Sequence, residues 1–180
     1  RSPRHLDPTA SYAVNEVPYM YSIYEPPYAY HYLKRPYELV PKAATAIATP
    51  RLLDRDGKEL PADAPGELVA ESQYDVHIIP GTLYQPHPAF AKDEHGRYRY
   101  HALDARQTRG RHTPFDFEHS GTRELVADDF VYAMRRHATT RIEAPVYGIF
   151  SEYVIGLKEY AAVIRAADVK LRAGLHPASL

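Results

Sequence analysis

Sixteen prolines in 180 residues set the first limit on the fold. Each one fixes φ, lacks an N–H donor and breaks a helix that would run through it. Helices are therefore confined to the windows between prolines, and much of the rest reads as extended or turn segments. One window is Glu124–Arg136, ELVADDFVYAMRR. Asp128 and Asp129 fall in its first turn, where unpaired N–H groups and the positive end of the helix dipole favour anions. Phe130, Val131, Met134 and Ala138 recur at helical spacing and are expected to form one buried face. Arg135, Arg136 and His137 lie near the far end, where cations are favoured. A second helix is expected over Ser151–Ala173, with Val154, Leu157, Ala161, Ile164 and Leu171 on a stripe interrupted by Asp168. Gly174 suits the position after its last turn, and Pro177 lies beyond. A third helix of about two turns fits between Pro18 and Pro26, with Met20, Ile23 and Tyr24 as its packed face.

Between these windows the pattern is that of strands and turns. Ile47–Leu53, Asp56-Gly57 and Lys58–Leu60 read as a β-hairpin, with Pro50 marking its first strand as an edge or a bulge. Pro61–Gly66 is a loop. Glu67–Ile79 follows, with Tyr74, Val76 and Ile78 alternating against Asp75 and His77 as in a half-buried strand. Pro80-Gly81 ends it in a turn that needs positive φ at the glycine. A reversal at His95-Gly96, with alternation through Tyr98 and Tyr100, predicts a further ribbon.

Sixteen tyrosines and no tryptophan are the other unusual feature, and residues 1–45 hold Tyr12, Tyr19, Tyr21, Tyr24, Tyr28, Tyr30, Tyr32 and Tyr37. Such residues either pack a core with their hydroxyls at its wet edge or line a ligand cleft. A net charge of −1 and a pI near 6.9 provide no global field for nucleic acid or an anionic membrane. No apolar run reaches membrane-spanning length. The absence of cysteine excludes disulfides, thiolate metal sites and a cysteine nucleophile.

Several stretches carry a resemblance. Leu125-Val126-Ala127-Asp128-Asp129-Phe130-Val131-Tyr132 resembles the L-T-A-[ED]-D-V-V-Y signature of the family-5 extracellular solute-binding proteins, which capture peptides for ABC importers. Val126 stands where that family usually has Thr. Leu6-Asp7-Pro8 resembles the L-D-P that opens the family's first lobe, and Ile23-Tyr24-Glu25-Pro26 its [IV]-Y-E-P-L. Leu39-Val40-Pro41-Lys42-Ala43-Ala44 is similar to L-x-P-x-L-A, with Ala43 in place of Leu. Tyr74–Gly81 is similar to Y-x-[FI]-x-[LI]-R-x-G, after which this chain inserts a long segment, roughly Thr82–Glu124.

The resemblance implies a mixed α/β chain of the type II periplasmic-binding-protein kind. Residues 1–45 would begin lobe I, and residues 46–180 would form the accessory subdomain inserted in it. Family members are several times longer, so the chain is expected to be an N-terminal piece, and its start at Arg1 rather than Met agrees with that expectation. The implied location is periplasmic or extracellular and membrane-associated. The implied partners are a peptide or other small solute and the membrane subunits of an ABC transporter. In the family the loop after L-D-P lies near the cleft between lobes, which implies that Ser11, Tyr12, Ala13 and Val14 touch the ligand backbone. Self-association of the chain through its Tyr/Pro-rich start is a further expectation.

Other chemistry has weaker signals. His87, His95, His101, His112 and His119 fall in the inserted segment, but their irregular spacing is not that of a metal site. They leave a metal carrier or metalloenzyme as the competing reading, with an interaction module as a third. No G-x-S-x-G and no phosphate loop occurs, so neither an enzyme nor a bound cofactor is expected. Asp128, Asp129 and Glu25 are explained as ordinary helix-start and loop acids. The basic cluster Arg106, Arg109, Arg111 and His112 reads either as a holder of an acidic group or as a solvated loop.

Overall fold

Helices occupy the windows that the prolines leave, and short antiparallel pairings occupy the rest. The computed structural model describes residues 2–174, with side chains as far as residue 169. The fold is mixed α/β, with small antiparallel sheets and, among the described residues, four α-helices. It divides into two units, Arg1–Pro27 with Ala127–Leu180, and Tyr28–Val126. The division falls after Pro27 and again after Val126.

The first unit is helical. α1 spans Val17–Ile23 with Pro18 in its first turn, where a missing N–H costs nothing. Its expected packed face does not form: α1 has no buried residue, and Ile23 and Tyr24 are exposed. α2 spans Ala127–Arg136, with Asp128 and Asp129 in its first turn and Arg135 and Arg136 in its last. Val131 is exposed, and the buried side runs through Phe130 and Met134 to His137 and Ala138 instead.

The expected helix from Ser151 is two helices, α3 over Tyr147–Tyr153 and α4 over Leu157–Gly174. The break is at Gly156, whose φ of +83° is open to glycine and costly for other residues. Leu157, Ala161, Ile164 and Asp168 then form the inward stripe of α4. Ala138, Leu157 and Ala161 make a small core, with Met134, Tyr147 and Phe150 packed against it. Val154 lies outside this stripe and is exposed. Pro177 and the Leu171 side chain lie outside what is described.

The second unit is built from backbone pairing. β1 (Tyr28–Tyr30) pairs antiparallel with β2 (Leu39–Pro41). β3 (Arg51–Leu53) is the centre of a three-stranded sheet in the order β4-β3-β5, with β4 at Glu59–Leu60 and β5 at Glu71–Gln73. The hairpin of β3 and β4 is where it was expected, but Pro50 precedes β3 and β3 is not an edge. The expected strand over Glu67–Ile79 is displaced too. Glu71–Gln73 joins the sheet, Gly66–Leu68 is a 3-10 turn, and Tyr74 and Val76 are exposed. Its end pairs separately, where the Thr45 N–H donates to the His77 carbonyl and the Ile79 N–H to the Ala43 carbonyl around an Ala44–Ile78 bridge.

The inserted segment closes on itself. Its two ends meet where the Leu125 N–H donates to the Thr82 carbonyl and the Tyr84 N–H to the Arg123 carbonyl. His87 and Gly121 exchange a reciprocal pair of bonds at 2.8 and 3.1 Å. Two turns share one construction, Asp54-Arg55-Asp56-Gly57-Lys58 and Asp93-Glu94-His95-Gly96-Arg97. In each, the leading aspartate Oδ1 accepts the N–H groups two and four residues on, all at 2.9 Å. The glycine in each has φ of +77°. The reversal at His95-Gly96 was thus legible, and its ribbon is limited to a Lys92–Tyr98 bridge. Buried apolar side chains in this unit are small: Ala43, Ala44, Pro88 and Ala91 among the described residues. No helix among the described residues is long and apolar enough to cross a membrane.

Candidate functional site

The most ordered polar arrangement in the molecule is centred on Glu16, the residue just before α1. Its side chain is buried, with 1% of its surface exposed. Oε1 accepts the backbone N–H groups of Arg4 and His5 at 2.9 and 3.1 Å. Oε2 accepts the Ser11 hydroxyl at 2.8 Å and the N–H groups of Tyr12 and Ala13 at 3.3 and 3.4 Å. A buried carboxylate is tolerated only with such a set of donors. The Ser11 hydroxyl, with the N–H groups of Arg4, His5 and Ala13, outweighs the opposing effect of burial and lowers the Glu16 pKa to about 2. Glu16 is therefore ionised at neutral pH and fixes the loop from residue 4 to 13.

A second carboxylate ties this loop to α2. Asp7 accepts the Thr9 N–H at 3.0 Å, and its own carbonyl takes the N–H groups of Ala10 and Ser11. Both its oxygens face the Arg136 guanidinium, Nη1 to Oδ1 at 2.8 Å and Nη2 to Oδ2. This two-pronged pair is the geometry that arginine favours. Its hydrogen bond holds the Asp7 pKa below the usual carboxylate range and raises that of Arg136, burial opposing both. The Tyr24 hydroxyl donates to the Leu6 carbonyl at 2.9 Å. Thr9 is completely enclosed by the loop.

Ser11, Tyr12, Ala13 and Val14 all lie on this loop, and Glu16 takes up the Ser11 hydroxyl and the Tyr12 and Ala13 N–H groups. What the loop presents outward is the Tyr12 ring, 68% exposed, and the Val14 side chain, 87% exposed. Ala13 is exposed beside them, and its N–H is taken up by Glu16. Sequence reading passed over Glu16. Its donors all lie before it in the chain and it makes no cap bond to α1, so the helix start carried no signal for it.

A third carboxylate, the buried Asp168, interrupts the apolar stripe of α4 for a reason. Its oxygens accept from the Thr139 and Thr140 hydroxyls, both at 3.2 Å, and from the Arg141 Nε at 2.9 Å. It thereby pins the segment after α2 onto α4. Burial raises the Asp168 pKa, but Arg141 and the two threonine hydroxyls outweigh it and leave it below the ordinary value.

The five histidines of the inserted segment do separate work. The His87 Nδ1 accepts the Ala89 N–H at the start of a 3-10 turn over Pro88–Phe90. His101 stacks on Tyr98 at 4.0 Å and bonds to the Ala89 carbonyl. His95 and His119 lie beside their neighbours Glu94 and Glu118, and the His112 N–H donates to Asp116. Among the described residues no group of three His, Cys, Asp or Glu is arranged to hold a metal ion.

No family model, curated protein or solved structure matches the chain. Its function is accordingly argued from its own residues.

Proposed function

We propose that this chain supplies one wall of the ligand cleft of a solute-binding protein of the family-5 type, serving an ABC importer outside the cytoplasmic membrane, with oligopeptide as the solute. One observation supports this reading above the others. Three of the separate stretches that resemble that family meet in one unit, Tyr24 bonding to Leu6 and Arg136 to Asp7. Residues 18 and 129 positions apart in the chain are thereby joined by hydrogen bonds, Arg136 lying at the end of the helix that begins in the third stretch. The loop they carry is rigidly held and turns an aromatic and an aliphatic side chain outward, as a peptide-facing wall requires.

The test is peptide binding by the native gene product, followed by calorimetry. Tyr12→Ala and Val14→Asp are expected to weaken binding about tenfold, or about 1.4 kcal/mol, with the thermal midpoint unchanged. Native product that binds no peptide overturns the proposal. The isolated chain, offering one wall, is expected to give no saturable isotherm below millimolar peptide.

A second reading, an interaction module, is favoured by the β1–β2 hairpin. Its connection and flanks expose Tyr30, Tyr32, Leu33 and Tyr37, more apolar surface in one place than a solvated turn needs. It predicts self-association, and a monomer by light scattering at all accessible concentrations counts against it.

A further inference from the structure

Within the inserted segment lies a cavity of about 610 Å³, bordered by the Asp93–Arg97 turn, Tyr98–Tyr100, Arg111 and Glu118–His119. It is a wide-open, mainly polar depression, suited to a charged ligand held at its surface rather than to an enclosed apolar one. Its lining carries three arginines, Arg97, Arg99 and Arg111, against two acids, Asp93 and Glu118. Asp93 is fully engaged by Arg97, whose Nε and Nη2 lie 3.0 and 2.9 Å from Oδ2. Neither Arg99 nor Arg111 closes a salt bridge with an acid among the described residues, although Asp116 lies near enough to Arg111 for the guanidinium charge to help lower its pKa. The Arg99 Nε donates to the Lys92 carbonyl at 3.1 Å, which orients the head and leaves its terminal amino groups for another acceptor. The Arg111 guanidinium lies over the Phe117 ring at 4.8 Å. Stacking in that way occupies the face of the guanidinium and leaves its N–H edge for an acceptor in its plane.

The surrounding rings hold this arrangement in place. Phe117 meets Tyr100 edge-on at 4.9 Å, and the Tyr100 hydroxyl accepts the His119 N–H at 3.3 Å. Tyr98 is stacked on His101, with the Lys92 ammonium 4.9 Å from its ring centre. Beneath them the backbone is pinned by the Lys92–Tyr98 bridge and by the Arg99 N–H to the Ala91 carbonyl at 2.9 Å. Arg99, oriented by the Lys92 carbonyl, and Arg111, stacked on Phe117, come from separate stretches to line one pocket, where neither is closed off by a salt bridge.

We infer that this cavity binds a small multivalent oxyanion, a polycarboxylate or a phosphate ester, through the guanidinium groups of Arg99 and Arg111. One exposed cation contributes little against screening by salt, so an anion must reach both arginines to be held. Glu118, exposed and beside His119 rather than an arginine, opposes an incoming anion and limits affinity. The site is independent of the peptide-binding reading, since every group in it belongs to the inserted segment.

Calorimetric titration of the chain at low ionic strength with citrate, and separately with pyrophosphate, tests it. Saturable one-to-one binding of either probe is expected, and the probe bound more tightly assigns carboxylate or phosphate chemistry. Arg99→Gln with Arg111→Gln is expected to weaken binding at least tenfold and Glu118→Gln to strengthen it about twofold. Arg55→Gln with Arg106→Gln, exposed positions outside the cavity, is expected to leave it unchanged. In the unaltered chain, the backbone amides of Tyr98, Arg99 and His119 are expected to shift on titration in NMR spectra, which guards against a folding defect in the variants. Absence of saturable binding by the unaltered chain, or equal weakening in the Arg55/Arg106 pair, overturns the inference.

Discussion

In the unit made of residues 2–27 and 127–174, acids reach far along the chain: Asp7 to Arg136 across 129 residues, Asp168 to Thr139, Thr140 and Arg141 across 27 to 29, and Glu16 across as many as 12. In the unit of residues 28–126, acids close turns on themselves. Asp54, Asp93, Asp104 and Asp116 each bond to N–H groups two to four residues away. Glu124, which takes the Gly81 N–H at 2.6 Å, is an exception there. The glycines follow the same division, with Gly57, Gly81, Gly96 and Gly110 at positive φ in the second unit and Gly156 alone in the first. Side-chain charge fixes tertiary structure in the helical unit, whereas backbone conformation fixes it in the other. Charge and packing substitutions should therefore damage the first, and glycine substitutions the second.

The largest effect is expected at Leu157, the one large apolar side chain in the buried core of α2 and α4. Leu157→Ala should cost about 3 kcal/mol, with faster hydrogen exchange confined to the helical unit. Exchange that accelerates equally in residues 28–126 would break the division. Gly121→Ala should cost about 2 kcal/mol in the other unit, because a Cβ there would lie 2.4 Å from the Phe90 carbonyl oxygen and 2.7 Å from its carbon. Backbone cannot yield as a side-chain tip can, so a thermal midpoint unchanged in this variant would contradict the close approach. Arg136→Ala should cost about 1 kcal/mol, since the pair with Asp7 is only partly shielded from water. Coupling in a double-mutant cycle with Asp7→Asn would confirm that the two act together, and strict additivity would deny it.

The smallest effect at neutral pH is that of Glu16 protonation, which appears only in acid. Its pKa falls from an ordinary 4.5 to about 2 on folding. Its contribution is therefore complete above pH 4.5 and is lost as pH falls toward 2. Glu16→Gln should flatten the acid limb of a stability profile within that window. A carboxyl carbon resonance for Glu16 that titrates near 4.5 would mean the cage of donors is not formed.

The sequence announced α2 clearly, because first-turn acids, a helical apolar repeat and terminal arginines agreed with one another. It announced the turns at Gly57, Gly81 and Gly96 for the same reason. Gly156 was overlooked because the apolar stripe from Leu157 made one long helix plausible on either side of it. The strand over Glu71–Gln73 was hidden by its polar composition. The alternation of Tyr74, Val76 and Ile78 attracted the assignment, although pairing with β3 decides the matter. Glu16 was illegible as an anchor because its partners are backbone N–H groups, which every residue but proline carries. Arg99 and Arg111 were separated by eleven residues, so only the fold could show that they border one cavity.

The decisive measurement is mass spectrometry of the native gene product recovered from cells, with its cell fraction recorded and any bound solute released by denaturation. A solute-binding role predicts product in the extracytoplasmic fraction carrying a mixture of short peptides. Product confined to the cytosol and releasing no peptide would contradict it.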